Sequence, residues 1–237
     1  TTDRNVTPYE QVVKDNIIVE LSARLRAEID FDGMSRAVEE FNASHETLKK
    51  GLALMPVKFG ISFNTPKLNQ AGALVHVYTD GSVHLNHGGT EMGQGLFTKV
   101  AQVVASTFQI DLDNIKISAT RTDKVPNTSA TAASSGSDLN GMAALNAAEI
   151  IKGRMGDVAA GHFGVDRDKI EFRANRVYAG NESVSFSELA QMTYDERQSL
   201  SAAGYYSTPG LHWDASKLVG NPFYYFTYGV AVAEVVI

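Results

Sequence analysis

The feature of this sequence that most constrains its fold is the run HGGTEMGQG, which spans His87–Gly95. It places four glycines within nine residues, directly after a strand-like segment and directly before a helix-like one. Glycine permits positive φ angles and a close approach of the backbone to a ligand. The first N–H groups of the following helix have no partner within that helix. They therefore favour a polar, anionic or phosphate-bearing ligand at this position.

The run differs from both common phosphate-binding motifs. Gly88 and Gly93 have the P-loop spacing, but Gln94-Gly95 stands where a P-loop has Lys followed by Ser or Thr. A dinucleotide fingerprint that starts at Gly93 fails because Thr98 occupies the third glycine position. The sequence therefore predicts a less common ligand.

A second run of small residues precedes a second predicted helix. TSATAASSGSD covers Thr128–Asp138 and leads into an alanine-rich helix predicted over Leu139–Lys152, with Ser137 or Asp138 as its N-cap. The chain thus twice forms a strand, a loop of small residues and a helix, and we expect both helix entrances to face one ligand. The hydroxyl groups of this run have two alternative roles, which are helix capping and hydrogen bonding to a ligand.

The remaining segments predict a mixture of helices and strands. The predicted elements are helices over Pro8–Ala43 with a break at Asp30–Gly33, a region boundary at Pro56, a hairpin of Ala73–Thr79 and Ser82–Asn86, a helix over Gly95–Phe108, a strand over Asn114–Thr120, a strand pair over Ile170–Ala179, a helix with a capping box at Ser185 and Glu188, a loop at Pro209–Gly210 and a strand over Phe223–Ile237. These elements predict an α+β fold with mixed sheets, packed helices and an N-terminal helical segment. Since the final strand has no following turn, we expect a segment of a longer polypeptide.

Composition excludes several classes of function. The absence of cysteine rules out disulfides, thiolate zinc sites, thiol nucleophiles and iron–sulfur clusters held by this chain. A net charge of -6 without a cluster of basic residues argues against binding to nucleic acid. No run of about 18 apolar residues is present to span a membrane. The N-terminal sequence lacks the apolar core of a signal peptide, which favours a cytoplasmic location.

Three histidines and one acid raise the question of a metal site. With a two-residue turn at Asp80-Gly81, strand pairing puts His76 and His84 on opposite faces of the hairpin, so we do not expect them to share a metal ion. For His87 and Glu91 we favour hydrogen bonds that brace the glycine loop.

Taken together, these residues resemble the molybdenum-cofactor subunit of the xanthine dehydrogenase family. The resemblance covers most of residues 50–237 and rests on GISF (Gly60–Phe63), LNQAGALVHVYTDGSV (Leu68–Val83), HGGTEMGQG, VPNTSATAAS (Val125–Ser134) and YFTYG (Tyr225–Gly229). It divides the chain into a helical lead-in over residues 1–50 and a partial molybdenum-cofactor-binding domain over residues 51–237. The implied fold is that of a molybdopterin-binding domain.

The resemblance also implies roles for individual residues. Cofactor contacts are implied for Met92, Gly93 and Gln94 in the first loop and for Thr131, Ala132, Ala133 and Ser134 in the second, with the backbone of Ala133 next to molybdenum. Phe63 would be one of two aromatic side chains that clamp a flat purine, and the backbone of Asn64 would contact a substrate oxygen. The family's upstream glycine loop and downstream catalytic glutamate have no counterpart here, so no catalytic residue is expected in this chain, and we do not assign Glu91 as the base.

The implied activity belongs to a larger enzyme that oxidises hypoxanthine and xanthine to urate with a water-derived oxygen. Its implied cofactor is molybdenum–molybdopterin, with the presence of an added nucleotide left open. Iron–sulfur clusters and FAD or NAD are expected on other domains or subunits, and the enzyme is expected to be an oligomer whose partners include the remainder of the large subunit. One alternative is an aldehyde oxidase-type hydroxylase, and another is a non-catalytic scaffold or partial binding module.

Overall fold

The computed structural model describes residues 4–118, 120–121, 123–125 and 127–237. Its helices are α1 (Ile18–Glu28), α2 (Phe31–Ser44), α3 (Leu96–Phe108), α4 (Gly136–Phe163) and α5 (Phe186–Asp195). Its strands are β1 (Lys50–Ile61), β2 (Gln70–Val77), β3 (Val83–His87), β4 (Ile115–Ile117), β5 (Ile170–Arg173), β6 (Arg176–Ala179), β7 (Glu182–Ser185), β8 (Ser201–Ser207), β9 (His212–Asp214), β10 (Val219–Asn221) and β11 (Tyr225–Val236). These elements confirm the predicted α+β fold with mixed sheets.

The chain forms two units, whose bounds differ from the boundary at residues 50 and 51 that the sequence predicted. One unit contains the described residues of Thr1–Asn64 together with Gly210–Ile237, and the other contains those of Thr65–Pro209. The predicted division into residues 1–50 and 51–237 follows from the family resemblance and stays a prediction. Ala119 of the predicted strand and Pro126 of the VPNTSATAAS motif lie outside the described residues.

The first unit is built on a long antiparallel ribbon. β1 and β11 pair along their whole length, from Lys50 opposite Val236 to Ile61 opposite Tyr225. Both α1 and α2 contact this ribbon. Strand β1 ends at Ile61, two residues before Phe63.

Two predictions in the first unit were wrong in detail. The helix predicted from Pro8 begins only at Ile18, because Glu10 and Asp15 adopt positive φ angles that an α-helix does not accept. Pro56 does not close the region, since β1 runs through it opposite Val230. Proline is tolerated there because β1 pairs only with β11 among the described strands and is therefore an edge strand.

The second unit contains the four-stranded sheet that positions the loops of interest. Its strand order is β4-β3-β2-β8, with β3 and β4 parallel and the other neighbours antiparallel. Alternate residues of β2 are buried, as expected for a strand with one face on a core. Helices α3 and α4 supply much of that core, in which Val100, Val104 and Ile151 are fully buried. Each such side chain contributes about 1.5–3 kcal/mol by leaving water.

Helix α4 lies very close to strand β8. A Cβ atom built on Gly204 would stand 2.0 Å from the carbonyl oxygen of Ala143 and 2.6 Å from the backbone nitrogen of Ala147. The helix presents buried alanines on this side, so backbone can approach backbone. This contact fixes the position of α4, and therefore of its N-terminus, relative to the sheet.

The predicted helices of the second unit are largely confirmed. Helix α3 ends at Phe108 as predicted, and α5 begins with the predicted capping box of Ser185 and Glu188. Helix α4 is longer than predicted, with 28 residues, and its N-cap is Ser135 rather than Ser137 or Asp138. No helix in the described part of the chain is both long and apolar enough to cross a membrane.

The β2–β3 hairpin has a different register from the predicted one. Val77 pairs with Val83, and the N–H of Tyr78 donates to Ser82, so three residues rather than two form the tip. Gly81 has a φ of 84°, which fits a type I turn closed by a left-handed residue. His76 therefore lies directly opposite His84, and the predicted placement of these histidines on opposite faces was wrong.

Candidate functional site

The two predicted loops line one open cleft of about 560 Å³ at the entrances of α3 and α4. The lining residues are Met92, Gln94, Leu96, Lys99, Thr131, Ala132, Ala133, Ser134, Gly136 and Ser137. Six of the seven residues implied as cofactor contacts are among them, and the seventh, Gly93, lies between Met92 and Gln94 in the chain. Both helix entrances therefore open on one cleft, and the single ligand expected there stays a prediction.

Glu91 braces the glycine loop from within. Its Oε1 atom accepts hydrogen bonds from the N–H groups of Gly93 at 2.8 Å and Gly95 at 3.0 Å, and its Oε2 atom accepts one from Phe97 at 3.0 Å. These hydrogen bonds, led by the one from Phe97, hold the pKa of the Glu91 carboxyl below its usual value. The predicted bracing role of Glu91 is confirmed.

Gln94 adds a second internal brace, although its side chain also lines the cleft. Its Oε1 atom accepts from the N–H of Met92 at 2.6 Å, and its amide nitrogen donates to the carbonyl oxygen of Thr90 at 2.9 Å. The loop between Thr90 and Gly95 is therefore held in a defined shape before any ligand binds.

His87 anchors the start of the loop as a buried, neutral side chain. Its Nδ1 atom accepts from the N–H of Gly89 at 3.1 Å, which places the ring proton on Nε2. The Nε2 atom has no hydrogen-bond partner among the described residues. Burial lowers the pKa of His87 to about 4, while the nearby Glu91 carboxylate opposes this shift. The predicted bracing role of His87 is confirmed by its bond to Gly89.

The second loop has an unusual backbone at the position implied to lie next to the metal. Ala133 and Ser134 have φ angles of 55° and 54°, a left-handed conformation that is uncommon for residues other than glycine. Thr131 joins the two loops, because its Oγ1 atom accepts from the N–H of Thr90 at 2.8 Å. The Ser135 hydroxyl donates to the carbonyl oxygen of Ala132 at 3.0 Å and closes the turn into α4.

The glycines of the first loop serve two different purposes. A Cβ atom on Gly88 would stand 2.0 Å from Thr128, and one on Gly89 would stand 2.5 Å from Leu96, so these two glycines allow close packing of the loop against its neighbours. Gly93 and Gly95 have φ angles of 93° and 74°, with nothing within 4 Å of the place of a Cβ atom. The loop is therefore packed on its inner side and open on the side of the cleft.

Four lining residues were not predicted as ligand contacts from the sequence. Gly136 and Ser137 belong to the first turn of α4, and Leu96 and Lys99 belong to α3. Lys99 is the only charged side chain among the described residues that line the cleft. A lysine near the N-terminus of a helix is unfavourable for the helix dipole. The sequence signal for Lys99 was therefore its position four residues after Gly95, near the start of the helix, where a positive charge is unfavourable.

Phe63 and Asn64, the residues implied to contact a substrate, belong to the other unit. Phe63 is half-buried and Asn64 is exposed. The preceding Ser62 has a φ of 109°, donates from its hydroxyl to the carbonyl oxygen of Pro222 at 3.0 Å and accepts from the N–H of Tyr224 at 3.1 Å. These two hydrogen bonds fix the backbone at Ser62, where the chain leaves β1. The roles of Phe63 and Asn64 stay predictions.

The paired histidines of the hairpin form a stacked pair rather than a metal centre. The ring centroids of His76 and His84 are 5.8 Å apart, with an angle of 13° between the planes. Burial, followed by the positive charge of Lys124 and by His76, lowers the pKa of His84. Within the described ranges, no group of three or more His, Asp or Glu side chains is arranged to hold a metal ion.

Comparison with known sequences gives a consistent result. A family model described as a molybdopterin cofactor-binding domain matches residues 24–237. Xanthine dehydrogenase from Oryza sativa subsp. japonica is 47% identical over 99% of this chain, and xanthine dehydrogenase 1 from Arabidopsis thaliana is 46% identical over 98%. Xanthine dehydrogenase from Dictyostelium discoideum is 42% identical over 98%. This chain spans 16% of the length of each of these curated relatives.

Comparison with solved structures supports the fold. CO dehydrogenase from Oligotropha carboxidovorans superimposes with a TM-score of 0.79 and 19% identity, covering 98% of this chain and 30% of that chain. Quinoline 2-oxidoreductase from Pseudomonas putida 86 gives 0.78 and 17%, with the same coverage. Aldehyde oxidoreductase from Desulfovibrio desulfuricans gives 0.71 and 20%, covering 100% of this chain and 23% of that chain.

Proposed function

This chain belongs to the molybdopterin cofactor-binding domain family, and from that premise we propose that its two loops hold the molybdenum–molybdopterin cofactor of a purine hydroxylase. The observation that carries the proposal is the single cleft in which Met92 and Gln94 of the first loop meet Thr131–Ser134 of the second. Residues that are about forty positions apart in the sequence converge there. The cleft is of the size of a typical cofactor site, which spans about 300–1,000 Å³.

The residues present fit such a group in shape. The alanines and serine of the second loop, with the glycines of the first, leave the backbone accessible to a large planar ligand. The left-handed backbone at Ala133 presents that residue without a bulky side chain, so its main chain can lie next to the metal. A larger side chain at this position would fill the cleft.

The residues also fit in charge. Lys99 supplies a positive charge, which suits the phosphate of the pterin. The N-terminus of the long helix α4 opens on the same cleft through Gly136 and Ser137, and adds the positive end of its dipole. Gln94 offers an amide group at the rim, already held in place by its bonds within the loop.

In this proposal the chain's residues bind and orient the cofactor and do not transfer protons. When bound, the cofactor supplies the redox centre at which an electron-poor carbon of the purine is hydroxylated. Glu91 is committed to three backbone N–H groups and is not available as a base. The base is proposed to lie in another part of the larger enzyme.

For the substrate, a purine is favoured over an aldehyde. The three relatives at 42–47% identity are all named xanthine dehydrogenases, whereas the aldehyde oxidoreductase shares only the fold at 20% identity. Phe63 is proposed to stack on the purine ring, and Asn64 to present its backbone to a substrate oxygen. Hypoxanthine and xanthine are the proposed substrates and urate the product.

The partners follow from the small share of the relatives that this chain spans. We propose that the remainder of the large subunit supplies the missing substrate and cofactor contacts. Domains or subunits with iron–sulfur clusters and FAD or NAD are proposed to accept the electrons, in an oligomeric enzyme of the cytoplasm. An aldehyde oxidase-type enzyme and a non-catalytic binding module are the alternatives.

Substrate profiles test this proposal. The full-length enzyme that contains this segment is expected to oxidise xanthine and hypoxanthine much faster than benzaldehyde. The isolated 237-residue chain is expected to be inactive in purine-dependent dye reduction. Oxidation of benzaldehyde but not of xanthine would favour the aldehyde oxidase alternative, and purine oxidation by the isolated chain would show that its own residues include the base.

A further inference from the structure

The N-terminus of α3 is already occupied by an anion of the protein itself. Its N-cap, Gly95, has no side chain to cap the helix, and the first turn of α3 contains no acidic residue. The Glu91 carboxylate takes that place from four residues before the cap. Both of its oxygens are used, since Oε1 accepts from Gly93 and Gly95 and Oε2 accepts from Phe97.

This arrangement decides the shape of the loop. The three N–H groups belong to the loop and to the first turn of α3, so one carboxylate ties the two together. Met92 and Gln94, which line the cleft, lie between Glu91 and Gly95 and are fixed by this closure. Without the carboxylate, three polar groups would be left to water and the glycines would be free to change conformation.

We propose that Glu91 is a positioning residue, whose carboxylate fixes the loop Met92–Gly95 and fills the anion position at the start of α3. The anionic group of the cofactor then binds elsewhere in the cleft, beside Lys99. The first half of this inference concerns the chain alone, and the second half rests on the proposed function.

Removal of the carboxylate followed by chemical rescue tests the first half. Glu91→Ala is expected to lower the Tm of the 237-residue chain by about 3–6 °C, as the loss of a helix cap does. Excess formate, which can occupy the vacated N–H groups, is expected to restore part of this loss. The matched control is Glu149→Ala, at an exposed position in the middle of α4, which formate should not stabilise.

The pH dependence of Tm provides a second measurement. The pKa of Glu91 is lower in the folded chain than its ordinary value, so its contribution to stability is present above the ordinary value near 4.5. That contribution is lost as the pH falls through the lower, folded value. Glu91→Gln keeps one acceptor but has no charge, and its Tm should therefore lack this part of the acid-dependent loss.

These outcomes separate the inference from the proposed function. A Glu91→Ala chain that is as stable as the wild type, or that formate fails to stabilise, would overturn the positioning role whatever the full-length enzyme binds. In the full-length enzyme, Lys99→Met removes the positive charge beside which the anionic group of the cofactor is proposed to bind, and this variant should retain less molybdenum than the wild type. Unchanged retention would overturn the second half, whereas a wild-type enzyme without molybdenum would overturn the proposed function and leave the stability results standing.

Discussion

At the scale of the residue, the side chains of the HGGTEMGQG run divide into those that brace the loop and those that face the cleft. Bracing by His87 and Glu91 could be predicted, because a loop with many backbone N–H groups needs internal acceptors. The left-handed backbone of Ala133 and Ser134 could not be predicted. Non-glycine residues adopt that conformation only when the surrounding structure imposes it, and the local sequence does not contain this information.

Burial of His87 predicts a specific dependence of stability on pH. Its pKa is about 4 in the folded chain and about 6.5 when unfolded, so the unfolded chain binds more protons between these values. The free energy of unfolding should therefore fall as the pH is lowered from 6.5 to 4, by about 3 kcal/mol from this residue alone. His87→Gln should remove this contribution in urea titrations at several pH values. Parallel pH profiles of the variant and the wild type would contradict the prediction.

Phe63 provides a prediction about substrate binding. If its ring stacks on the purine, Phe63→Ala in the full-length enzyme should raise the KM for xanthine roughly tenfold, the loss expected for one stacking contact. Phe59→Ala is the matched control, since Phe59 is an exposed phenylalanine on β1 in the same unit. Steady-state kinetics that give the same KM for both variants would remove Phe63 from the substrate site.

At the scale of the element, the helical spacing of apolar residues predicted α3 well and the capping box predicted the start of α5, but the predicted hairpin register was wrong. Asp80-Gly81 fits both a two-residue turn and a three-residue tip with Gly81 in the left-handed position. The two choices differ by one residue of register, and that shift decides whether His76 and His84 share a face. The register observed buries Val75, Val77 and Leu85 together on the side of the helices.

The contact between α4 and β8 predicts opposite effects for two glycine replacements. Gly204→Ala should lower the free energy of unfolding by about 1–3 kcal/mol, because its methyl group would overlap the backbone of Ala143. Gly161→Ala, at an exposed position of α4 with nothing within 4 Å of the new atom, should raise it by up to about 1 kcal/mol. Urea unfolding of both variants checks this, and a Gly204→Ala chain of unchanged stability would contradict the close helix–strand contact.

At the scale of the whole molecule, the sequence identified the family and the fold class but not the extent of the two units. The first unit joins β1 to β11, and no periodicity within one segment can predict pairing between strands so far apart in the chain. The meeting of the two loops was predictable because each follows the same order of strand, small residues and helix. The place of Lys99 at the cleft could not be read from that order, and its one sequence signal was its unfavourable position near the N-terminus of α3.

The central claim is that the cleft between the two helix entrances holds the cofactor, and cleft-filling variants of the full-length enzyme test it most directly. Ser137→Phe puts a large side chain into the first turn of α4 at the cleft, whereas Ser106→Phe puts the same side chain on an exposed site of α3 outside it. We would measure molybdenum and pterin per subunit in both folded variants. Loss of both from Ser137→Phe, with wild-type content in Ser106→Phe, is the predicted result. Full cofactor content in Ser137→Phe would contradict the claim.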